Sequence, residues 1–285
     1  MRDDECVLFL QWALPKLGAH WPGFRKVRSQ VCKRVARRLK SLALPDASAY
    51  RAYLETHFDE WSCLDELCWI SISRFCRDHT VFDCLQRTLL PKLAEAARRK
   101  GAAQVRAWSA GCGAGEEPYT LNLLWRLSVQ REFPNMELRI LATDIDGQQL
   151  ERAYSACYSR GSLKELPEGW IQIAFEENEG RYSLRPEYRQ GIEFRQQDLR
   201  RDLPDGPFSL ILCRNLAFTY FDQSLQRETA AALHERLALG GVLVLGRHEA
   251  LPAGTTGLKE LEPRLRIYCR PHDEDRAAQL HEELI

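Results

Sequence analysis

From residue 105 onward, short apolar runs are separated by stretches with helical spacing, and this alternation leaves few folds open. The runs are Val105–Ala110, Leu138–Thr143, Ile192–Arg195, Leu210–Cys213 and Val242–Gly246. Helical spacing fills Pro118–Gln130, Gln148–Tyr154 and Gln223–Ala238. Strand followed by helix, repeated, buries both faces of a sheet, so the class expected is α/β with a mostly parallel, doubly wound sheet. A last run, Leu265–Cys269, is reached without a long helix and is expected to pair antiparallel. Between Tyr154 and Gly191 the alternation stops. This helix-poor stretch is expected to be a small inserted β-subdomain (154–191), with strands at Trp170–Phe175 and Arg181–Arg185.

Residues 1–90 follow a different rule. Val27, Val31, Val35, Leu39 and Leu42 recur at three- and four-residue steps and form one apolar helical stripe. The same stretch holds Arg25, Lys26, Arg28, Lys33, Arg34, Arg37, Arg38 and Lys40, with no acid among them. Two readings of this basic face stay open: a solvated helix surface, or a docking surface for an acidic partner. The chain thus divides into an N-terminal all-α, basic domain with its linker (1–88) and an α/β domain (89–285).

Charge and cysteine usage remove several function classes. Lys+Arg and Asp+Glu are 40 each, so no global field attracts nucleic acid or a membrane surface. No apolar run reaches the roughly eighteen residues needed to span a bilayer, and the start, Met1-Arg-Asp-Asp-Glu-Cys, has no apolar signal core. Ten cysteines without a paired C-x-x-C spacing suggest reduced, buried thiols in a cytoplasmic protein and no metal site.

Three strand tips carry the chemistry. The run Val105-Arg-Ala-Trp-Ser-Ala-Gly-Cys-Gly-Ala-Gly-Glu-Glu-Pro-Tyr-Thr leads a strand through Gly111, Gly113 and Gly115 into a helix. Glycines there let a ligand approach the backbone, a property shared by several nucleoside-binding sheets. The second strand ends at Asp144, where a doubly wound sheet receives the paired ribose hydroxyls of an adenine nucleoside; Asp146 suits a helix N-cap better. A third tip carries Gln197-Asp198-Leu199, whose side chain and backbone amide are placed to read adenine. NAD is the rival ligand, but Glu116 and Glu117 stand where its pyrophosphate would rest. They suit instead the ammonium and sulfonium charges of S-adenosyl-L-methionine.

With these motifs in view, the chain resembles the CheR-type chemoreceptor glutamate methyltransferases. The resemblance runs through Gly115-Glu-Glu-Pro-Tyr-Thr, Ala142-Thr-Asp-Ile-Asp, Leu212-Cys-Arg-Asn, Tyr220-Phe-Asp and Gly240-Gly-Val-Leu-Val-Leu-Gly with the following Glu249. Ser73-Arg-Phe-Cys-Arg-Asp looks like a worn form of that family's Thr-x-Phe-Phe-Arg-Asp linker, and the arginine-rich helix Phe24–Leu42 matches its receptor-binding N-terminal domain. The resemblance implies a class I methyltransferase sheet with S-adenosyl-L-methionine as cofactor. It implies Ser71, Ser73, Arg77, Gly111, Glu117 (amino-acid end), Asp144 (ribose), Asp198 and Leu199 (adenine), Arg214 and Asn215 as cofactor-binding residues. Arg77 and Tyr220 are implied as catalytic, and the inserted β-subdomain as an anchor for a receptor's C-terminal peptide in some members. The chain departs from the pattern in the linker, where serines and Cys76 replace family residues. One extra residue between Asn215 and Phe221 leaves Thr219 or Tyr220 to fill the tyrosine position; the intact Tyr-Phe-Asp favours Tyr220.

The expected reaction is O-methylation of glutamate side chains on a chemoreceptor or related signalling protein, an acidic protein acceptor. Two alternatives stand beside it: a methyltransferase of this scaffold for another acceptor, and a non-catalytic S-adenosyl-L-methionine-binding sensor.

Overall fold

The computed structural model describes residues 2–272; the charged C-terminal stretch expected to be a peripheral helix or tail lies outside the described residues. The chain forms two compact units, Met1–Ile70 with Leu216–Gln226, and Ser71–Asn215 with Arg227–Ile285.

In the first unit, the helices Asp3–Ala13, Arg28–Ser41, Ala47–Thr56 and Glu60–Cys68 enclose a core. The predicted stripe supplies Val31, Val35 and Leu39, all buried, against Phe9, Leu10, Tyr50, Leu54 and Leu64. The basic residues of the helix Arg28–Ser41 are not one solvated face. Arg38 donates through Nε and Nη2 to both oxygens of buried Glu60 at 2.8 and 2.5 Å, and the Tyr50 hydroxyl donates to the same carboxylate at 2.7 Å. The Arg38 hydrogen bonds lower the Glu60 pKa, against the upward push of burial. Arg34 donates to the backbone carbonyls of Leu67 and Trp69, tying this helix to the end of the helix Glu60–Cys68. Arg28 pairs with Asp3 at 3.1 Å. What stays exposed among the cations is Lys33, Arg37 and Lys40, which with Gln30 recur at steps of three or four residues along one helical stripe, and Arg25 and Lys26 in the turn before the helix. The expectation of wholly reduced thiols fails here. Cys6 and Cys32 form a disulfide with their Cα atoms 5.9 Å apart, because the apolar faces of their two helices meet in the core.

Segment 216–226 belongs to this unit. Ala19 bridges Phe221, the His20 amide donates to the Tyr220 carbonyl at 2.9 Å, and the Asp222 amide donates to the Gly18 carbonyl at 2.9 Å. The Tyr220 ring lies 5.0 Å from that of Phe24.

The second unit is built on a seven-stranded sheet. Its strands are β1 (Gln104–Ala110), β2 (Glu137–Asp144), β6 (Ile192–Gln196), β7 (Phe208–Cys213), β8 (Leu237–Leu245), β9 (Lys259–Glu262) and β10 (Ile267–Cys269), in the order β6-β2-β1-β7-β8-β10-β9. The first five run parallel to one another, and β10 is antiparallel to both β8 and β9. Order and direction together are those of a class I methyltransferase sheet, and every strand expected for this sheet is present. The linker Ser71–Asp78 and the helix His79–Cys84 pack onto this sheet, with Phe75, Cys76, Val81 and Phe82 in its core beside Tyr119 and Leu123. The insertion forms a separate antiparallel sheet, β3 (Cys157–Ser159), β5 (Arg181–Leu184) and β4 (Phe175–Asn178), in the order β3-β5-β4. One expected strand is a helix: Glu168–Ala174. Ile171 and Ala174 are buried at helical spacing while Ile173 is 53% exposed, so the apparent period of two does not describe which side chains pack.

Candidate functional site

Because β6, β2, β1 and β7 are consecutive in the sheet, their carboxyl ends place four loops side by side, at 197–199, 144–146, 111–115 and 214–215. In an open parallel sheet this edge is where ligands bind. The glycine loop is fixed from below, since the Gly111 and Cys112 amides donate to the Thr143 carbonyl at 2.8 and 2.9 Å. Gly115 has φ +89°, and a side chain there would meet Ala153 and the Tyr119 ring at 3.0 Å. This close packing, and not only ligand access, requires a glycine. Ser73 stands beside the loop, its Cβ 3.8 Å from where a Gly113 side chain would begin. Ser71, at the start of the linker, is exposed.

Asp144 is central to the loop geometry. Its Oδ2 accepts from the Gly113 amide at 2.7 Å and its Oδ1 from the Asp146 amide at 2.9 Å. Burial raises its pKa, and the two backbone donors only partly offset that. With one backbone amide on each oxygen, the carboxylate keeps acceptor capacity suited to a pair of hydroxyls. Asp146 caps the helix Gly147–Ser155, accepting from Gln148 and Gln149. At the next tip, Leu199 is buried. The Asp198 carboxylate meets Arg200 Nε and Nη2, both at 2.9 Å, so a ligand group reading Asp198 competes with that arginine.

The β7 tip splits two neighbouring side chains. Arg214, buried with 2% of its side chain exposed, pairs with Glu117 at 3.0 Å and Asp78 at 2.9 Å and donates to the Arg77 carbonyl at 2.8 Å. Glu117 also accepts from the Ser109 hydroxyl at 2.8 Å. The sequence argument that Glu116 and Glu117 repel a phosphate therefore needs correcting: Arg214 compensates Glu117, and Glu116 points elsewhere, accepting from Ser162 at 3.0 Å. Asn215, at φ +56°, accepts on Oδ1 from Arg77 Nη2 at 3.2 Å, while Arg77 Nη1 donates to the Ile72 carbonyl at 2.7 Å. Among the described residues, Arg77 has no carboxylate partner. Its charge is left over where that of Arg214 is spent.

The structure thus brings together Ser73, Arg77, Gly111, Glu117, Asp144, Arg214 and Asn215, with Asp198 and Leu199 on the adjacent tip. Tyr220 belongs to the helical unit. Sequence reasoning gave no role to Asp78, which neutralises Arg214, or to the Ser109 hydroxyl; an aspartate directly after Arg77 and a lone serine in an apolar strand were the available signals. A cavity of about 370 Å³ lies elsewhere, lined by Arg106, Arg139, Arg195 and Phe208 among others, and includes none of these residues. No group of three or more metal-ligating side chains occurs among the described residues, and no helix among them is long and apolar enough to cross a membrane.

The donor set fits S-adenosyl-L-methionine: a polar β6 tip, a half-buried carboxylate at the β2 tip and an open glycine turn after β1 follow one another along the sheet edge. Fold and site define an S-adenosyl-L-methionine-dependent methyltransferase. Residues 71–266 match the family described as "CheR methyltransferase, SAM binding domain", and the chain belongs to the CheR methyltransferase family. It is 36% identical over 191 residues to a chemotaxis protein methyltransferase of Listeria monocytogenes, covering 66% of this chain and 70% of that protein. The Escherichia coli chemotaxis protein methyltransferase is 32% identical over 230 residues, covering 78% and 76%. Among solved structures, the glycopeptide N-methyltransferase MtfA complexed with S-adenosyl-L-homocysteine overlaps 62% of this chain and 58% of its own, at 15% identity and a TM-score of 0.32, an overlap too loose to argue from.

Proposed function

We propose that this methyltransferase esterifies glutamate side chains of a chemoreceptor or related signalling protein, using Arg77 to hold the acceptor carboxylate. The observation that carries this reading is the contrast between the two arginines. Arg214 is neutralised by Glu117 and Asp78, whereas Arg77 is held in place by two neutral oxygens and keeps its charge for an incoming anion. When bound, S-adenosyl-L-methionine supplies the methyl group from its sulfonium. A glutamate acceptor is ionised at neutral pH, given an ordinary pKa of about 4.3, so no general base is needed. What remains for the protein is alignment and partial desolvation of the carboxylate. Arg77, braced by Asn215 and Ile72, orients it. Asp144 takes the ribose hydroxyls, Asp198 and Leu199 the adenine, and Glu117, Arg214 and Ser73 border the amino-acid end.

The acceptor is an acidic protein surface. Lys33, Arg37 and Lys40, with Lys26, remain exposed once the structural arginines are set aside, and a helix bearing glutamates complements them. That the relatives in Listeria monocytogenes and Escherichia coli are chemotaxis protein methyltransferases supports such an acceptor. The test is transfer of labelled methyl groups to a purified chemoreceptor signalling fragment, a small-molecule carboxylate panel and an unrelated acidic protein. Base-labile label on the receptor fragment alone supports the reading. Base-stable label, or transfer only to small molecules, moves the enzyme to another acceptor; binding without transfer makes it a sensor.

A further inference from the structure

Glu249 is 2% exposed and has been given no part in the site so far. Its carboxylate nevertheless reaches across two strands. Oε2 accepts from the amide of Gly246, which directly follows β8, at 2.7 Å, and from the amide of Asn215, just beyond β7, at 2.6 Å. The two strands are parallel neighbours in register, with Cys213 opposite Leu245, so a single oxygen fastens both carboxyl ends at the same level. Space has been cleared for it. A side chain at Gly246 would begin 2.6 Å from that oxygen and 2.9 Å from the Asn215 amide nitrogen, so only glycine lets the carboxylate pass. The Glu249 amide in turn donates to the Gly246 carbonyl at 2.9 Å, closing the turn.

This fastening matters because of what Asn215 must do. At φ +56° it adopts a backbone conformation that costs a non-glycine residue energy and persists only where surroundings enforce it. That conformation sends Arg214 inward to Glu117 and Asp78, and sends the Asn215 amide oxygen to Arg77. We propose that Glu249 is a positioning residue of the methyltransferase site, clamping the tips of β7 and β8 so that Asn215 holds Arg77 in its working orientation. The inference rests on the placement of Arg77 and Asn215 in the site given above. Glu249 touches neither cofactor nor acceptor; it acts through the Asn215 backbone.

A double-mutant cycle tests this, because residues that act through one another do not contribute independently. The proteins compared are wild type, Glu249→Gln, Glu249→Ala, Asn215→Gly and the Asn215→Gly/Glu249→Ala pair. Glycine is at ease at φ +56° and has no side chain to aim. The readouts are S-adenosyl-L-homocysteine affinity by calorimetry and kcat and KM for methyl transfer to the chemoreceptor fragment, each below the melting temperature of every variant. Glu249→Ala is expected to lower kcat/KM on the order of tenfold or more, the scale of losing a buried, charge-assisted hydrogen bond. Glu249→Gln, which keeps an acceptor oxygen, should recover most of that. The pair should be no worse than Asn215→Gly alone. Should the losses multiply in the pair, or should Glu249→Ala shift only the melting temperature, the clamp has no part in positioning and the inference falls while the site stands. Should Asn215→Gly itself leave affinity and transfer at wild-type values, the site placement of Asn215 fails and this inference with it. If Glu249→Ala does not fold, Glu249→Asp, whose shorter side chain withdraws the oxygen from the two amides, paired with Asn215→Gly runs the same cycle.

Discussion

Two regions of this protein carry arginines that look alike in the sequence and differ in what the structure asks of them. In the helix Arg28–Ser41, Arg34 and Arg38 sit in an acid-free stretch and look available for docking. Both are committed to the fold, one to backbone carbonyls and one to buried Glu60. At the strand tips, Arg214 looks like a ligand contact and is also committed, to Glu117 and Asp78, while Arg77 keeps its charge. An arginine's role is decided by acceptors distant in sequence. Glu60 lies 22 residues from Arg38, and Asp78 lies 136 from Arg214. A count of local cations cannot separate a docking face from a packing one.

The largest expected effect is on folding. Arg38→Ala strands a buried carboxylate, a loss of about 3–5 kcal/mol, read as a lowered denaturation midpoint. Because Arg38 lowers the folded Glu60 pKa, this stabilisation is present above the unfolded carboxylate pKa and is lost as pH falls through the lowered folded value. The wild type should therefore converge on Arg38→Ala in acid. A gap between them that stays constant down to acid would mean the ion pair is not its source.

At the strand tips the effect moves from stability to chemistry. Arg77→Ala should cost on the order of a hundredfold in kcat/KM, as for loss of one preorganised charge-stabilising donor, with little change in melting temperature. Tyr220→Phe should cost less. Equal and small losses for both variants would break the contrast drawn between the spent and the available arginine.

Asp144→Asn should weaken S-adenosyl-L-homocysteine binding by roughly tenfold, for loss of a charge-assisted pair, yet raise the melting temperature of the ligand-free protein. The sign follows from its raised folded pKa. Such an acid contributes stability below its unfolded pKa, and that contribution is lost as pH rises through the folded value, so at neutral pH the ionised carboxylate costs stability. A variant that is both weaker in binding and less stable would contradict this account of Asp144.

The smallest effect belongs to the exposed stripe. Lys33→Glu, Arg37→Glu and Lys40→Glu together should raise the acceptor KM several-fold and flatten its dependence on salt, since exposed pairs are each worth below about 1 kcal/mol and are screened within about 10 Å at 0.1 M salt. Calorimetry should show unchanged cofactor affinity. An unchanged acceptor KM would reduce the stripe to a solvated surface.

The parallel sheet was legible in the sequence because β7 and the second half of β8 are nearly continuous apolar runs, a pattern imposed by burial on both faces, and the more polar β1, β2 and β6 alternate with helical spacing. The glycine loop and Asp144 were legible for a related reason: both follow directly from the end of such a strand. Other features depend on contacts that sequence spacing does not encode. The Cys6–Cys32 bridge joins residues 26 apart on two helices. In the short helix Glu168–Ala174, Ile171 and Ile173 imitate a strand period although Ile171 is buried and Ile173 is exposed. The pairing of Glu117 with Arg214 spans 97 positions, and it replaces the electrostatic argument drawn from two adjacent glutamates with a compensated pair.

The most direct test of the central claim is peptide mapping by mass spectrometry of a chemoreceptor signalling fragment after incubation with the protein and S-adenosyl-L-methionine. The account predicts a methyl ester on glutamate side chains, removed by mild base, and nearly absent with the Arg77→Ala protein. Methyl groups on nitrogen, or esters formed equally well without Arg77, would contradict it.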